Sequence, residues 1–140
     1  MGDFKFLLIP LLAWGSVQLF KFITDAIKHK RINLRRLVET GGMPSSHSAV
    51  VTSLMASIAV AEGVTSTNFA MAFIFGIIVM YDAAGVRRAA GKQAGILNQL
   101  IYSNQVKVDT NEKLKELLGH TPVEVFAGAI WGVILGLLLV

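Results

Sequence analysis

Two histidines sit in short polar segments that lead into apolar stretches, among residue types that phosphoryl transfer uses. The first segment is Gly41-Gly42-Met43-Pro44-Ser45-Ser46-His47-Ser48. Glycines let a backbone come close to a ligand, and a serine cap followed by the free N–H groups of a helix start makes an anion site. His47 then falls in the first turn, aimed at the anion, with Ser45 and Ser46 beside it. An ordinary N-cap with an interfacial histidine fits the same residues. The second segment is Gly119-His120-Thr121-Pro122-Val123-Glu124. Glu124 lies four residues after His120, close enough to orient the imidazole and leave its other nitrogen free for attack. Thr121-x-x-Glu124 is also a capping box with Pro122 at the first helical position, and one carboxylate can serve both purposes. A third cluster, Tyr81 to Ala94, carries Asp82, Arg87, Arg88 and Lys92. Its arginines read either as a bidentate phosphate clamp or as topology and lipid contacts. Asp82 reads either as an arginine partner or as a catalytic carboxylate. Only His120 has a ligand-like spacing to an acid and no HExxH motif is present, so a metal site is disfavoured and no cofactor is called for.

The elements that position these groups are membrane helices. Of 140 residues 54% are hydrophobic and 16% charged, too apolar for disorder and poorer in charge than a soluble domain, typically about a quarter charged. With no cysteine, a disulfide framework and a thiolate site are excluded. Apolar stretches at 4–22, 46–61, 69–81 and 123–140 predict four spans, the second and third reaching the roughly 20 residues a bilayer needs only with their polar flanks. The first has a weak basic start, Lys5 against Asp3, and is read as a retained span rather than a signal peptide. The fold class is therefore all-α, a polytopic membrane helical bundle in a single domain over 1–140. Residues 83–101 predict an amphipathic interfacial helix, and 111–118 a second short one stopped by Gly119. Gly128, Gly132 and Gly136 recur every four residues and predict close helix packing.

Twelve of the thirteen basic residues fall in the two loops after the first and third spans, Lys21, Lys28, Arg35 and Arg36 among them. By the positive-inside rule both loops are cytoplasmic and both termini outside. All three histidines share that basic face. The expected localisation is an integral multi-pass membrane protein, in the cytoplasmic membrane if the source is bacterial. A net charge of +4 implies an anionic partner. With the basic residues close to membrane segments, that partner is membrane lipid and not nucleic acid.

Gly-Gly-Met-Pro-Ser-Ser-His-Ser-Ala (41–49), Tyr-Asp-Ala-Ala-Gly-Val-Arg-Arg-Ala-Ala-Gly-Lys-Gln-Ala (81–94) and Leu-Gly-His-Thr-Pro-Val-Glu-Val (118–125) resemble the divergent PAP2 family, related to acid phosphatases and vanadium-dependent haloperoxidases. The resemblance covers nearly the whole chain. It implies a metal-independent, helical lipid-phosphate phosphatase. The parent pattern K-x6-R-P is echoed by Lys28 and Arg35, with Arg36 in place of the proline, and P-S-G-H by Pro44-Ser45-Ser46-His47. S-R-x5-H-x3-D is split between Arg87 or Arg88 and His120-x3-Glu124. The resemblance thus implies His120 as a nucleophile forming a phosphohistidine, Glu124 orienting it and His47 protonating the leaving oxygen, with Lys28, Arg35, Ser46 and Arg87 or Arg88 holding phosphate. Four spans are fewer than the parent core contains, so a homodimer packed through the glycine stripe is a possible completion.

The function expected is hydrolysis of a phosphomonoester or pyrophosphate of a lipid, of phosphatidate, phosphatidylglycerol phosphate or polyprenyl phosphate type, at the cytoplasmic face. The alternative is a non-catalytic membrane protein that binds anionic headgroups or a partner. In that case the arginines are needed and His120 is dispensable. Haloperoxidase chemistry is disfavoured in so small a chain with no mark of a secreted oxidative enzyme.

Overall fold

The computed structural model describes residues 4–39, 41–103, 114 and 119–140. These form five α-helices: α1 Lys5–His29, α2 Ser46–Glu62, α3 Thr67–Ala84, α4 Val86–Tyr102 and α5 Pro122–Leu139, with a short 3₁₀ turn at Leu34–Leu37. No strand occurs among the described residues. The 111–118 helix expected from sequence falls almost wholly outside them.

Local sequence sets most of the boundaries. The side chain of Ser45 accepts from Ser48 N at the start of α2, and that of Ser66 from Phe69 N at the start of α3. Thr121 and Glu124 close a full capping box on α5, with Pro122 at the first position, where its missing N–H costs nothing. Gly63, at φ 86°, ends α2. Between α3 and α4 the chain breaks at Gly85, with φ −100° and ψ −90°.

Three stretches are long and apolar enough to cross a bilayer: Lys5–His29, Thr67–Tyr102 and Pro122–Leu139. The remaining helix, α2, has 17 residues, about 25 Å at roughly 1.5 Å per residue, and runs alongside them at the centre of the bundle. Its first residues lie beside Gln18 and Val79 and its last beside Phe6 and Met71, so α1 and α3 are antiparallel to it. Gly128, Gly132 and Gly136 meet Ser45, Ala49 and Ser53 in that order, so α5 is parallel to it. Four helices thus traverse the bundle, and the starts of α2 and α5 share one end with the finishes of α1 and α3.

The interior is made of small and hydroxyl residues, while large apolar side chains face outward. On α2 the buried set includes Ser46, Ser48, Ala49, Thr52, Ser53, Ala56 and Ser57, whereas Ile74, Ile78, Ile130 and Leu138 are exposed. That distribution suits lipid, where large apolar groups lose nothing by facing out and helices associate through close backbone approach. A Cβ on Gly132 would stand 2.8 Å from Ala49 Cα, and one on Gly136 2.6 Å from Ser53 O. The glycine stripe is therefore occupied by α2 inside one chain. It is not a free surface for a second copy, and the facing Ser45, Ala49 and Ser53, also spaced by four, are its other half. Thr52 bridges the seam, its one hydroxyl proton shared between Ser48 O at 2.7 Å and Ala129 O at 3.0 Å. Trp131 Nε1 donates to Ser16 Oγ at 3.0 Å, tying α1 to α5.

The interfacial helix expected over 83–101 is α4, amphipathic and packed only against α3 among the described elements. Gly91, a weak helix former, is buried in it beside Ala94 and Asn98. The first span is longer than its apolar run, because α1 continues to His29 before Lys30 ends it in the left-handed region at φ 49°.

Candidate active site

His47 is the second residue of α2, and Ser45, fully buried, caps that helix. His120 precedes α5 by two residues. Its backbone N–H donates to Ala83 O at the end of α3, at 2.8 Å. Ser45 N donates to Glu124 O at 2.9 Å, which joins the starts of α2 and α5. With both loops anchored, the rings of His47 and His120 lie 5.8 Å apart between centroids, edge to face. They are 73 residues apart in the chain.

Glu124 has two contacts. Its Oε2 accepts from Thr121 N at 2.7 Å and stands 3.6 Å from His120 Nδ1, a charge-pairing distance beyond hydrogen-bond length. The cap and the approach to the imidazole coexist on one carboxylate. The side chain of His120 is 1% exposed. Burial, and next the positive charge of Lys21, hold its pKa below the ordinary 6.5, against the opposing pull of Glu124. A neutral imidazole follows at pH 7, the form able to attack. Four buried polar atoms have no hydrogen-bond partner among the described residues: Gln18 Oε1, His47 Nδ1, Ser48 Oγ and His120 Nδ1. All four belong to the same end of the bundle, and buried atoms of this kind call for a ligand, water or catalytic explanation.

The remaining predicted residues divide. Ser46 is 5% exposed and lines a cavity of about 330 Å³ with His47 and Gln18. Arg87 and Arg88 are brought back to His120 through their backbone: a Cβ on Gly119, at φ 82°, would stand 2.7 Å from Arg87 C and from Arg88 Cα. The two halves of the split motif are therefore neighbours in space. Their side chains are exposed, and Arg87 Nε donates to Asp82 Oδ2 at 2.7 Å. Asp82 thus has an arginine partner. Lys28 and Arg35 are not brought to the histidines. Lys28 is exposed beside a cleft of about 190 Å³ that Lys21, Asp25, His29 and Arg36 also line but His47 and His120 do not, and Arg35 is exposed on the 3₁₀ turn. Arg36 is engaged by Asp25 and Glu39 at 3.4 and 3.2 Å.

Sequence reading missed Lys21, counting it as a loop residue. It lies inside α1, 5% exposed, with Nζ donating to Gly41 O at 3.0 Å. Its charge bears on both histidines and on Glu124, and among the described residues Gly41 O is the one hydrogen-bond partner of an ammonium that carries three protons. The signal was available: a lysine on an apolar helix one turn beyond Gln18, where an ionisable residue within a span is a functional candidate by default. Among the described residues no three His, Asp or Glu side chains converge as a metal site.

An uncharacterized membrane protein of Bacillus subtilis (strain 168), YuiD, is 41% identical to this chain over 145 residues, covering 95% of the chain and 92% of YuiD. No solved structure matches. The pattern described as the Divergent PAP2 family matches residues 3–135, a range that contains both histidine loops, α1, α2, α3 and most of α5. An integral membrane bundle with its histidines paired at one end is consistent with that match, and the chain belongs to the Divergent PAP2 family.

Proposed function

We propose that this protein is a metal-independent membrane phosphatase that cleaves a phosphomonoester or pyrophosphate of a lipid at the cytoplasmic face, through a phosphohistidine. The observation that carries the reading is the approach of His47 to His120, 5.8 Å between rings, with Glu124 on the Nδ1 side of His120. Nε2 of His120 attacks phosphorus as the P–O bond to the lipid breaks, and His47 gives its proton to the departing oxygen. Water, deprotonated by His47, then attacks the phosphohistidine and releases inorganic phosphate and neutral His120. In this reading Lys21 and the first N–H groups of α2 meet the charge on the phosphoryl oxygens, and such fixed donors contribute most where water is excluded. Arg87 lends longer-range positive charge to His47.

The near-complete burial of the His120 side chain favours a second reading, in which the pair is structural and the basic end only binds anionic headgroups. One experiment separates the two. Purified protein in detergent micelles, without divalent metal, is given a panel of lipid phosphates. Vanadate-sensitive phosphate release that His120→Ala and His47→Ala each abolish is the expected result. Folded protein that releases no phosphate, yet still binds anionic vesicles, refutes the enzyme and leaves the headgroup binder.

A further inference from the structure

Among the described residues α1 and α3 do not pack against each other, although each packs on α2. They leave a furrow between them with α2 as its floor. Its upper half is the cavity of about 330 Å³ that holds His47 and Gln18, walled by Trp14 and Phe75. Its lower half is a second cavity of about 390 Å³ that shares Phe75 and continues over Leu54 and Ile58 to Glu62. The furrow is open at the side, since Trp14, Phe75 and Met71 are 43%, 58% and 60% exposed. Beyond Ser46, His47 and Gln18 its upper lining is apolar, and polar groups return only at Glu62 and Asn68, which hydrogen-bond to each other at 2.8 Å.

We propose that this furrow holds the hydrocarbon chain of the lipid whose phosphate sits at the histidines. The inference deepens the phosphatase reading and rests on it for the identity of the headgroup. Three observations favour a lipid chain over another occupant. The furrow is continuous with the His47 site, so one amphiphile can fill both. Its polarity has the order of an amphiphile, polar at the histidine end and apolar below. Its length also fits: the eleven residues from His47 to Ile58 rise about 16 Å at roughly 1.5 Å each, against about 15 Å for one leaflet, half of the roughly 30 Å hydrocarbon core. A chain lying there would place its phosphate at the level of the starts of α2 and α5 without leaving its own leaflet.

The test uses the full chain in vesicles and a long-chain alkyl monophosphate with a diazirine at the chain end. Photolysis is expected to place adducts on Met71, Phe75 and neighbouring furrow residues. Val50→Trp, which fills the furrow floor, is expected to lower those adducts about tenfold, whereas Leu138→Trp on the outer face of α5 leaves them unchanged. His120→Ala is expected to retain them. Turnover is read in parallel: Val50→Trp lowers kcat/KM for the long-chain phosphate about tenfold and that for p-nitrophenyl phosphate less than twofold. Adducts spread equally over Ile130, Leu137 and other outward residues overturn the proposal, as does cross-linking of the furrow to a second copy. No release from either substrate while furrow adducts persist defeats the phosphatase and leaves the lipid-chain site standing.

Discussion

Replacing Lys21 should harm phosphate release far more than replacing Lys28, although the family resemblance implies Lys28. Lys21→Met keeps the apolar stem within α1 and removes only the ammonium. Lys21 is 5% exposed and its ammonium is held by Gly41 O at 3.0 Å, so its orientation is set before a ligand arrives. Loss of one such preorganised group facing developing charge costs about 10² to 10³ in kcat. Lys28 is exposed, and exposed charges contribute about 0 to 1 kcal/mol to an ionic contact, at most about fivefold in rate. Stability is expected to change little in Lys21→Met: Gly41 O loses its partner at about 1–3 kcal/mol, but an ammonium no longer has to be desolvated. The assay is phosphate release over a range of lipid phosphate, with thermal unfolding in the same detergent. A Lys28→Met loss equal to or larger than that of Lys21→Met, with both proteins folded, would refute the assignment.

Two other outcomes follow from the same geometry. Because His120 has its pKa lowered by burial and by Lys21, the acid limb of the pH–rate profile should lie below 6.5. The stability contributed by neutral His120 is complete above 6.5 and is lost as pH falls toward the lowered value, since the unfolded chain binds the proton more readily. Lys21→Met should shift this limb toward higher pH and Glu124→Gln toward lower. On the α2–α5 seam, Gly128→Ala and Gly136→Ala should each destabilise by about 1–3 kcal/mol, as overpacking does, by SDS titration of the purified protein. Only Gly128→Ala should also cost turnover in excess of its folding loss, because its Cβ would press on the Ser45 peptide, 3.0 Å from Ser45 N, whose N–H holds Glu124 O.

What was legible in the sequence was local. Hydropathy located α1, α3 and α5 to within a few residues except at the end of α1, and the caps at Ser45 and Thr121 were readable because a helix start needs acceptors for its free N–H groups. The seven extra residues of α1 were not readable from hydropathy, since Thr24, Asp25 and Lys28 look like loop to a scale that cannot see what surrounds them. The partner of the glycine stripe was hidden for a related reason: Ser45, Ala49 and Ser53 are unremarkable until a parallel α5 lies on them. For the candidate site, residue types at His47, His120 and Glu124 were visible, but their meeting depends on Ser45 N to Glu124 O and His120 N to Ala83 O, long-range bonds with no signature in spacing. The burial of Lys21 within α1 is the same lesson in a single residue.

The hydroxyl-lined face of α2 also has a bearing on how the chain is made. Its cover, α5, ends at Leu139, 77 residues after Glu62, so at about 5–20 residues per second the ribosome delivers α5 some 4–15 s after α2. Throughout that interval Ser48, Thr52, Ser53 and Ser57 have no α5 over them. Thr52 and Ser57 donate to the carbonyls of Ser48 and Ser53 in their own helix, at 2.7 Å each, and these bonds let α2 wait in lipid without orphaned hydroxyls at those positions. Assembly of the site therefore waits on α5: the two histidine loops can meet only when that helix has entered the bilayer and slid its glycines onto a neighbour laid down seconds earlier.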